Sequence, residues 1–404
     1  MTTEERARQV VPPEDRYAEE LAFLAAHDPG PRPHAWRLTP RAVVTFVMGS
    51  EGPLALEEPT GDLPDSLTIS QKYVGDRALV ERCVVTLAGS RGLLLTGEPG
   101  TAKSMLSELL SAAICGSSAF VVQGTAGTTE DHLRYGWNYG QLLATGPSTE
   151  ALVPSPLMMA MERGAVARVE EITRCLPEVQ DALVSLLSER RIAVPELGDH
   201  AVAARPGFAL IGTANLRDRG VTEMSAALKR RFSFERIDPI ADRYTEVALV
   251  TAQVRSALAE SGVPTAHAEP DTAVIDALVT AFRDLRTGRT AEGWSVERPS
   301  TVLSTAEAVA TASTAALSSA WFPADADVQG SGDTVGASGA GASVSTAALA
   351  QVPRLLMGAV RKDDPADADT LRGYWDLAVS RRAEAGDPVW SALWDLRDRI
   401  RVWE

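Results

Sequence analysis

Between Gly92 and Ser104 the chain has little conformational freedom. Leu93-Leu94-Leu95-Thr96 is a short apolar run that stops at a glycine, which suits a buried parallel strand. Gly97-Glu98-Pro99-Gly100-Thr101-Ala102-Lys103-Ser104 follows, and then Met105, Leu106, Leu109, Leu110, Ala113 and Ile114 at the spacing of one helical stripe. The order is strand, glycine-rich turn, Lys-Ser, helix. A turn nearly bare of side chains lets backbone N–H groups close around phosphate oxygens, and the helix opening there adds unpaired donors and its positive dipole end. In that arrangement Lys103 reaches the β and γ phosphates and the Ser104 hydroxyl holds Mg²⁺. Ala102 stands where the pattern G-x-x-x-x-G-K-[ST] has its last glycine, and alanine is compatible there if that residue is already helical.

The flanking chain alternates in the same way. Apolar runs at 120–122, 165–169 and 208–212 read as further strands, and Pro177 opens a helix with Val179, Leu183, Leu186 and Leu187 on one side. Strands alternating with helices imply an α/β fold with a parallel sheet covered on both faces. Residues 136–155, with Trp137, Tyr139, Leu142 and Leu143 among glycines and prolines, read as an inserted hairpin or loop.

The run 165–169 ends in Glu170-Glu171. Beside a phosphate-binding turn, one acid at a neighbouring strand end holds the Mg²⁺ shell and a second orients or deprotonates the attacking water. Arg168, inside an otherwise apolar strand, fits neither role. The run 208–212 leads into Thr213-Ala214-Asn215, whose amide can hold a water or sense a γ-phosphate, and also simply favours turns. Leu228-Lys229-Arg230-Arg231-Phe232 sets cations beside an apolar anchor. That is either a surface basic cluster or an arginine offered to a neighbouring subunit's nucleotide.

Composition narrows the function classes. The net charge of −15 argues against a general binder of nucleic-acid backbones. Cys83, Cys115 and Cys175 are widely spaced and odd in number, so they suggest no disulfide framework or zinc site and fit a reducing cytoplasm. The acidic Met-Thr-Thr-Glu-Glu-Arg start is no signal peptide, and the bland stretch 308–322 is too short to span a bilayer. His27 and His34 are lone histidines in polar surroundings and suggest no ligand set.

Residues 69–305 resemble the AAA+ superfamily and, within it, the MoxR-type ATPases. The resemblance is carried by Gly97 to Ser104, by Glu170-Glu-Ile-Thr-Arg-Cys-Leu-Pro-Glu-Val-Gln-Asp-Ala-Leu183, by Leu186 to Arg191, by Gly212-Thr-Ala-Asn215 and by Leu228 to Phe232. It implies a Mg-ATPase of α/β fold: a P-loop core with a parallel sheet between helices, then a helical lid and a C-terminal helical extension. It makes Gly97 through Met105 nucleotide-binding, Lys103 and Ser104 Walker A, Glu170 and Glu171 Walker B, Asn215 sensor 1, Arg231 the arginine finger with Arg230 its rival, and Arg298 the choice for sensor 2. The segments 136–155 and 190–207 become the helix-2 and pre-sensor-1 hairpins. Departures from the family pattern are Glu170 for aspartate, Thr173 for asparagine and an inconspicuous sensor 2 arginine. The resemblance further implies a homo-oligomeric ring, usually a hexamer, that remodels or activates partner protein complexes together with a von Willebrand A-domain protein. Two other readings stand beside it, a nucleotide-dependent scaffold or switch with little turnover and an AAA+ subunit acting on nucleic acid.

The expected organisation is a helical appendage over 1–66, the ATPase core over 67–238, the lid over 239–322, a flexible linker over 323–343 and a helical segment over 344–404. Tyr17–Ala26 and Pro40–Met48 read as helices of the appendage, 242–261 and 271–286 as helices of the lid. Near the C-terminus Trp390, Leu393, Trp394 and Ile400 fall on one stripe ending at Trp403, which reads as core more than as docking surface.

Overall fold

The strand Gly92–Gly97 (β1) lies second from one edge of a five-stranded sheet in a computed structural model that describes residues 10–57, 61–215, 222–263, 269–322 and 346–401. The other strands are Val121–Gln123 (β2), Val166–Glu170 (β3), Ala209–Ala214 (β4) and Phe232–Ile237 (β5). Their order is β5-β1-β4-β3-β2, and every pairing is parallel. The chain divides into two compact units, the first Met1–Glu98 with Ala102–Ile237 and the second Asp238–Glu404 with Pro99–Thr101.

In the first unit the pleat of β1 decides where each leucine goes. Leu93 and Leu95 join an apolar core on one face with Leu106 and Leu110, while Leu94 joins a second core on the other face with Met158, Leu183 and Leu210. All three leucines are fully buried. Alternation onto two covered faces is why the run is apolar without a break. The stretch expected to be an appendage shares the first of these cores: Phe23, Val43, Phe46 and Val47, from helices Ala18–His27 and Pro40–Met48, are buried in it.

Local signals set the helix starts. Thr39 caps Pro40–Met48 by accepting from the Ala42 N–H, and Pro177 occupies the first position of Pro177–Glu189. The helix Lys103–Cys115 (α1) ends at Gly116 in the left-handed region. Met105, expected on its apolar stripe, is 40% exposed, whereas Leu106, Leu109, Leu110, Ala113 and Ile114 are buried. Two antiparallel hairpins stand off the sheet. Tyr135–Trp137 pairs with Leu152–Pro154 around the short helix Tyr139–Thr145, and Arg191–Ala193 pairs with Ala201–Ala203. The Tyr135 hydroxyl donates to Glu196 Oε2 at 2.8 Å and Arg134 donates to the Ala193 carbonyl at 3.0 Å, so the hairpins are tied together.

The second unit is helical. Arg243–Glu260, Thr272–Thr287 and Thr305–Trp321 share one apolar core with Val352–Val360, Asp367–Tyr374 and Pro388–Asp395. Trp390, Leu393 and Ile400 are buried in it. The segment 323–343, expected to be a linker, and Trp403 lie outside the described residues. Among the described residues no helix is long and apolar enough to cross a membrane, and the three cysteines are unpaired.

Candidate nucleotide site

Open parallel sheets bind ligands beyond the carboxyl ends of their strands, where loops meet helix N-termini. Here the ends of β1, β3 and β4 are neighbours, with Ala214 opposite Thr96 and Gly212 opposite Val169. They deliver Gly97 and the turn, Glu170-Glu171, and Asn215 to one place.

The turn from Gly97 to Ala102 is shaped by two left-handed residues, Gly100 at φ 72° and Ala102 at φ 66°. Ala102 is thus not helical. It is the cap of α1 with ψ 22°, and it bends the chain so that the helix starts at Lys103. The expectation that alanine sits there as a helical residue is corrected: the position keeps a glycine-like backbone although it carries a methyl group. Lys103 is buried, and its Nζ donates to the carbonyls of Glu98 at 2.7 Å and Gly97 at 3.2 Å. The ammonium therefore sits inside the turn that it closes.

Glu170 is 5% exposed and fully engaged. Its Oε2 accepts from Ser104 Oγ at 2.7 Å and from Thr213 Oγ1 at 2.6 Å. Its Oε1 accepts from Ser107 Oγ at 2.7 Å and from Arg168 Nη1 at 3.1 Å. Ser104 and Ser107 lie one turn apart on α1, so the longer glutamate arm spans two donors of the same helix face. Ser104 and Glu170 offer adjacent hard oxygens, a donor set that suits Mg²⁺ once phosphates supply the remaining ligands. Among the described residues no cluster of three or more His, Cys, Asp or Glu could hold a metal without such help.

Glu171 has a left-handed backbone, φ 56° and ψ 44°, which turns its carboxylate away from the direction taken by Glu170. Its N–H donates to Thr213 Oγ1 at 3.0 Å. Its carboxylate accepts from Asn215 Nδ2 at 3.0 and 3.2 Å and from Arg174 Nε at 3.3 Å. Asn215 Oδ1 is buried without a protein partner, so the amide keeps one acceptor for another group. Gly124, after β2, gives its N–H to the Glu170 carbonyl at 2.7 Å, and a Cβ there would lie 2.5 Å from the Glu171 carbonyl oxygen. Only glycine lets that strand end approach the acid pair so closely.

The structure thus brings Ser104 to Glu170 and Glu171 to Asn215. The arginines are placed otherwise. Arg231 donates to Ser188 Oγ and, at 2.7 Å, to the Ala227 carbonyl within its own chain, and Arg230 is exposed at the end of the helix Ala226–Lys229. Arg298 belongs to the second unit, exposed in the loop before Thr305–Trp321. Reading by motif passes over Ser107 and Thr213. Their signals are positional, one helical turn after Ser104 and two strand residues before Asn215.

The sequence profile of the AAA domain (dynein-related subfamily) matches residues 92–232. That of the YehL-like AAA+ ATPase C-terminal domain matches 244–338 and 332–401. A protein of Escherichia coli (strain K12), described as "Uncharacterized protein YehL", is 43% identical over 386 residues, 95% of each chain. A protein of Staphylococcus haemolyticus (strain JCSC1435) is 26% identical over 49% of this chain and 69% of its own. Among solved structures, NtrX from Brucella abortus in complex with ATP has a TM-score of 0.42 at 14% identity, covering 82% of this chain and 70% of that one. The chain belongs to the AAA+ ATPases, in the YehL-like family.

Proposed function

We propose that the protein binds and hydrolyses Mg-ATP as a MoxR-type ring ATPase of the cytoplasm and uses the cycle to remodel or activate partner protein complexes. The observation that carries the hydrolytic reading is the division of labour between two adjacent acids: Glu170 shares a hydrogen bond with Ser104, and Glu171 is aimed at Asn215. In this reading residues 97–105 cradle the phosphates and Lys103 leaves its loop carbonyls for the β and γ oxygens. Ser104 and Glu170 would hold Mg²⁺, which would supply charge to offset that of the phosphates. Glu171 takes the proton of the attacking water, Asn215 orients that water through its spare oxygen, and Arg298 serves as sensor 2.

The remodelling role has its support in the inserted hairpin, whose helix exposes Tyr139 (71%) and Leu143 (88%) one turn apart. Exposed apolar pairs on a projecting element suit contact with protein rather than with a phosphate backbone. The net charge of −15 points the same way and leaves nucleic acid the weaker reading. A von Willebrand A-domain protein is the partner class that the MoxR resemblance implies. A nucleotide-dependent switch with little turnover is the second reading, favoured by the ion pair that Glu171 makes with Arg174.

Phosphate release by purified protein separates the two. We expect Mg-dependent turnover that Lys103→Ala abolishes together with binding of a fluorescent ATP analogue. Glu171→Gln is expected to bind the analogue normally and to lose about 10²-fold or more in rate, the scale of general-base removal. A parental rate in Glu171→Gln would remove that residue from the chemistry. Binding with no turnover in the parent would leave the switch.

A further inference from the structure

Arg168 is a charged residue in a buried strand, 4% exposed. A guanidinium in such a place is costly unless its donors are met, and here both Nη groups are engaged while the buried Nε has no protein partner. Residues two apart on a strand share a face, so Arg168 lies alongside Glu170. Its Nη1 donates to Ser107 Oγ at 3.0 Å and to Glu170 Oε1 at 3.1 Å. Its Nη2 donates to the Ser118 carbonyl at 2.9 Å and lies 3.4 Å from Glu108 Oε1. Ser107, fully buried, adds the second donor to Oε1. The two oxygens of one carboxylate therefore do different things. Oε1 is held by Arg168 and Ser107, whereas Oε2 accepts from Thr213 and from Ser104, the P-loop serine that would share the metal.

Resting on the nucleotide reading above, we propose that Arg168 is a positioning and metal-specificity residue. With Ser107 it keeps Oε1 occupied, so that the acid offers the metal one oxygen, Oε2, and selects Mg²⁺ over Ca²⁺. The physical basis is coordination. Mg²⁺ is small, demands near-octahedral geometry and takes one or two carboxylate oxygens plus phosphates. Ca²⁺ takes six to eight oxygens and accepts a carboxylate through both. A glutamate has one more rotor than an aspartate, and without a restraint on Oε1 it is free to present both oxygens. Arg168 is thus the counterpart of the glutamate at 170, where the resemblance leads one to expect aspartate.

The test reads nucleotide binding, not turnover. A fluorescent ATP analogue at a fixed subsaturating concentration is titrated with Mg²⁺ and, separately, with Ca²⁺. The ratio of the two midpoints is compared among the parent, Arg168→Met and Arg168→Lys. The parent is expected to favour Mg²⁺. In Arg168→Met the ratio is expected to move toward Ca²⁺ by about five- to tenfold, as a freed carboxylate becomes able to bind through both oxygens. Arg168→Lys keeps a cation without the forked geometry and should fall between. Thermal unfolding without nucleotide runs in parallel. A lower Tm with an unchanged ratio in Arg168→Met overturns the inference, because that is what a purely structural arginine gives. Should Arg168→Met fail to fold, Ser107→Ala removes the other donor to Oε1. It must shift the ratio in the same direction, and an unchanged ratio there overturns the inference equally. Failure of the parent to bind the analogue with either metal would overturn the nucleotide reading and this inference with it. That pattern is distinct from binding without metal preference, which overturns this inference alone.

Discussion

Ala102 carries a left-handed backbone that L residues adopt at a cost of about 1–2 kcal/mol. Its methyl group packs against the core beneath α1. Removing that methyl loses about 0.8 kcal/mol of burial. A glycine also adds about 0.4–1 kcal/mol of unfolded-state entropy to be overcome. The two losses nearly cancel the relief of strain. Ala102→Gly is therefore expected to change stability by less than about 0.5 kcal/mol. Ala102→Val puts a β-branched side chain at positive φ and should destabilise by about 2 kcal/mol. Denaturant unfolding measures both; a large gain in the glycine variant would mean that the methyl contributes nothing. The residues around this position show what a sequence can and cannot reveal. Lys103, Ser104 and the acid pair are legible because their chemistry demands those side chains after those strands. The backbone state of Ala102 has no signature in its side chain, and three of the four donors to Glu170 (Ser104, Ser107 and Thr213) come from segments far away in the sequence, which no local spacing specifies.

At the level of elements the strands β1 to β4 are legible and the edge strand β5 is not. β1, β3 and β4 are apolar runs because helices cover both their faces. β5, Phe232–Ile237, reads Phe-Ser-Phe-Glu-Arg-Ile with only Phe232 and Ile237 buried. A single pairing at the sheet edge leaves Glu235 and Arg236 compatible with a strand, so hydropathy gives no signal there. In the second unit the helices are legible from their stripes, but the ionic cluster that joins them is not. Arg382 is buried with Asp284 at 2.8 Å and grips both oxygens of Glu292 at 2.9 and 2.8 Å, while the Tyr374 hydroxyl donates to Asp284 at 3.0 Å. Hydrogen bonding from Arg382 holds the Glu292 carboxyl down to about 2, and burial pushes Asp284 up. A depressed carboxyl contributes its stability in full above its unfolded value of 4.5 and loses it as pH falls toward 2. Arg382→Met removes that contribution and leaves Asp284 buried without its counter-ion. We expect a loss of about 3–5 kcal/mol at pH 7. The gap to the parent should narrow below about pH 4.5, where Glu292 gives up its advantage in the parent and the stranded Asp284 protonates in the variant. Unfolding curves from pH 7 to pH 3 check this. A gap that stays constant would assign the loss to packing against Trp390 instead, over whose ring the guanidinium lies at 4.6 Å.

For the molecule as a whole, the low-complexity segment 323–343 made the last helices read as a separate piece, although Leu356, Trp375 and Leu393 share a core with Val254 and Phe282. Contacts between segments separated by that stretch have no signature in either segment alone. Assembly is one scale further out. A closed heterologous ring presents the same edge of each subunit to its neighbour's nucleotide, so an arginine from one chain completes the site of the next. Arg231 is here engaged with Ser188 and Ala227 of its own chain, and acting in trans requires it to leave them. Arg231→Ala is expected to bind nucleotide and to lose hydrolysis by about 10³-fold, the scale of finger removal. Mixing tests whether the site is shared. Lys103→Ala and Arg231→Ala proteins should each be inactive alone. In a random equal mixture about one interface in four joins an intact P-loop to an intact arginine, so a comparable fraction of activity should return. Rescue with Arg230→Ala and not with Arg231→Ala moves the finger by one residue and keeps the ring. Absence of rescue by either, with mixed rings verified by mass, would place every catalytic group of this ATPase within a single chain.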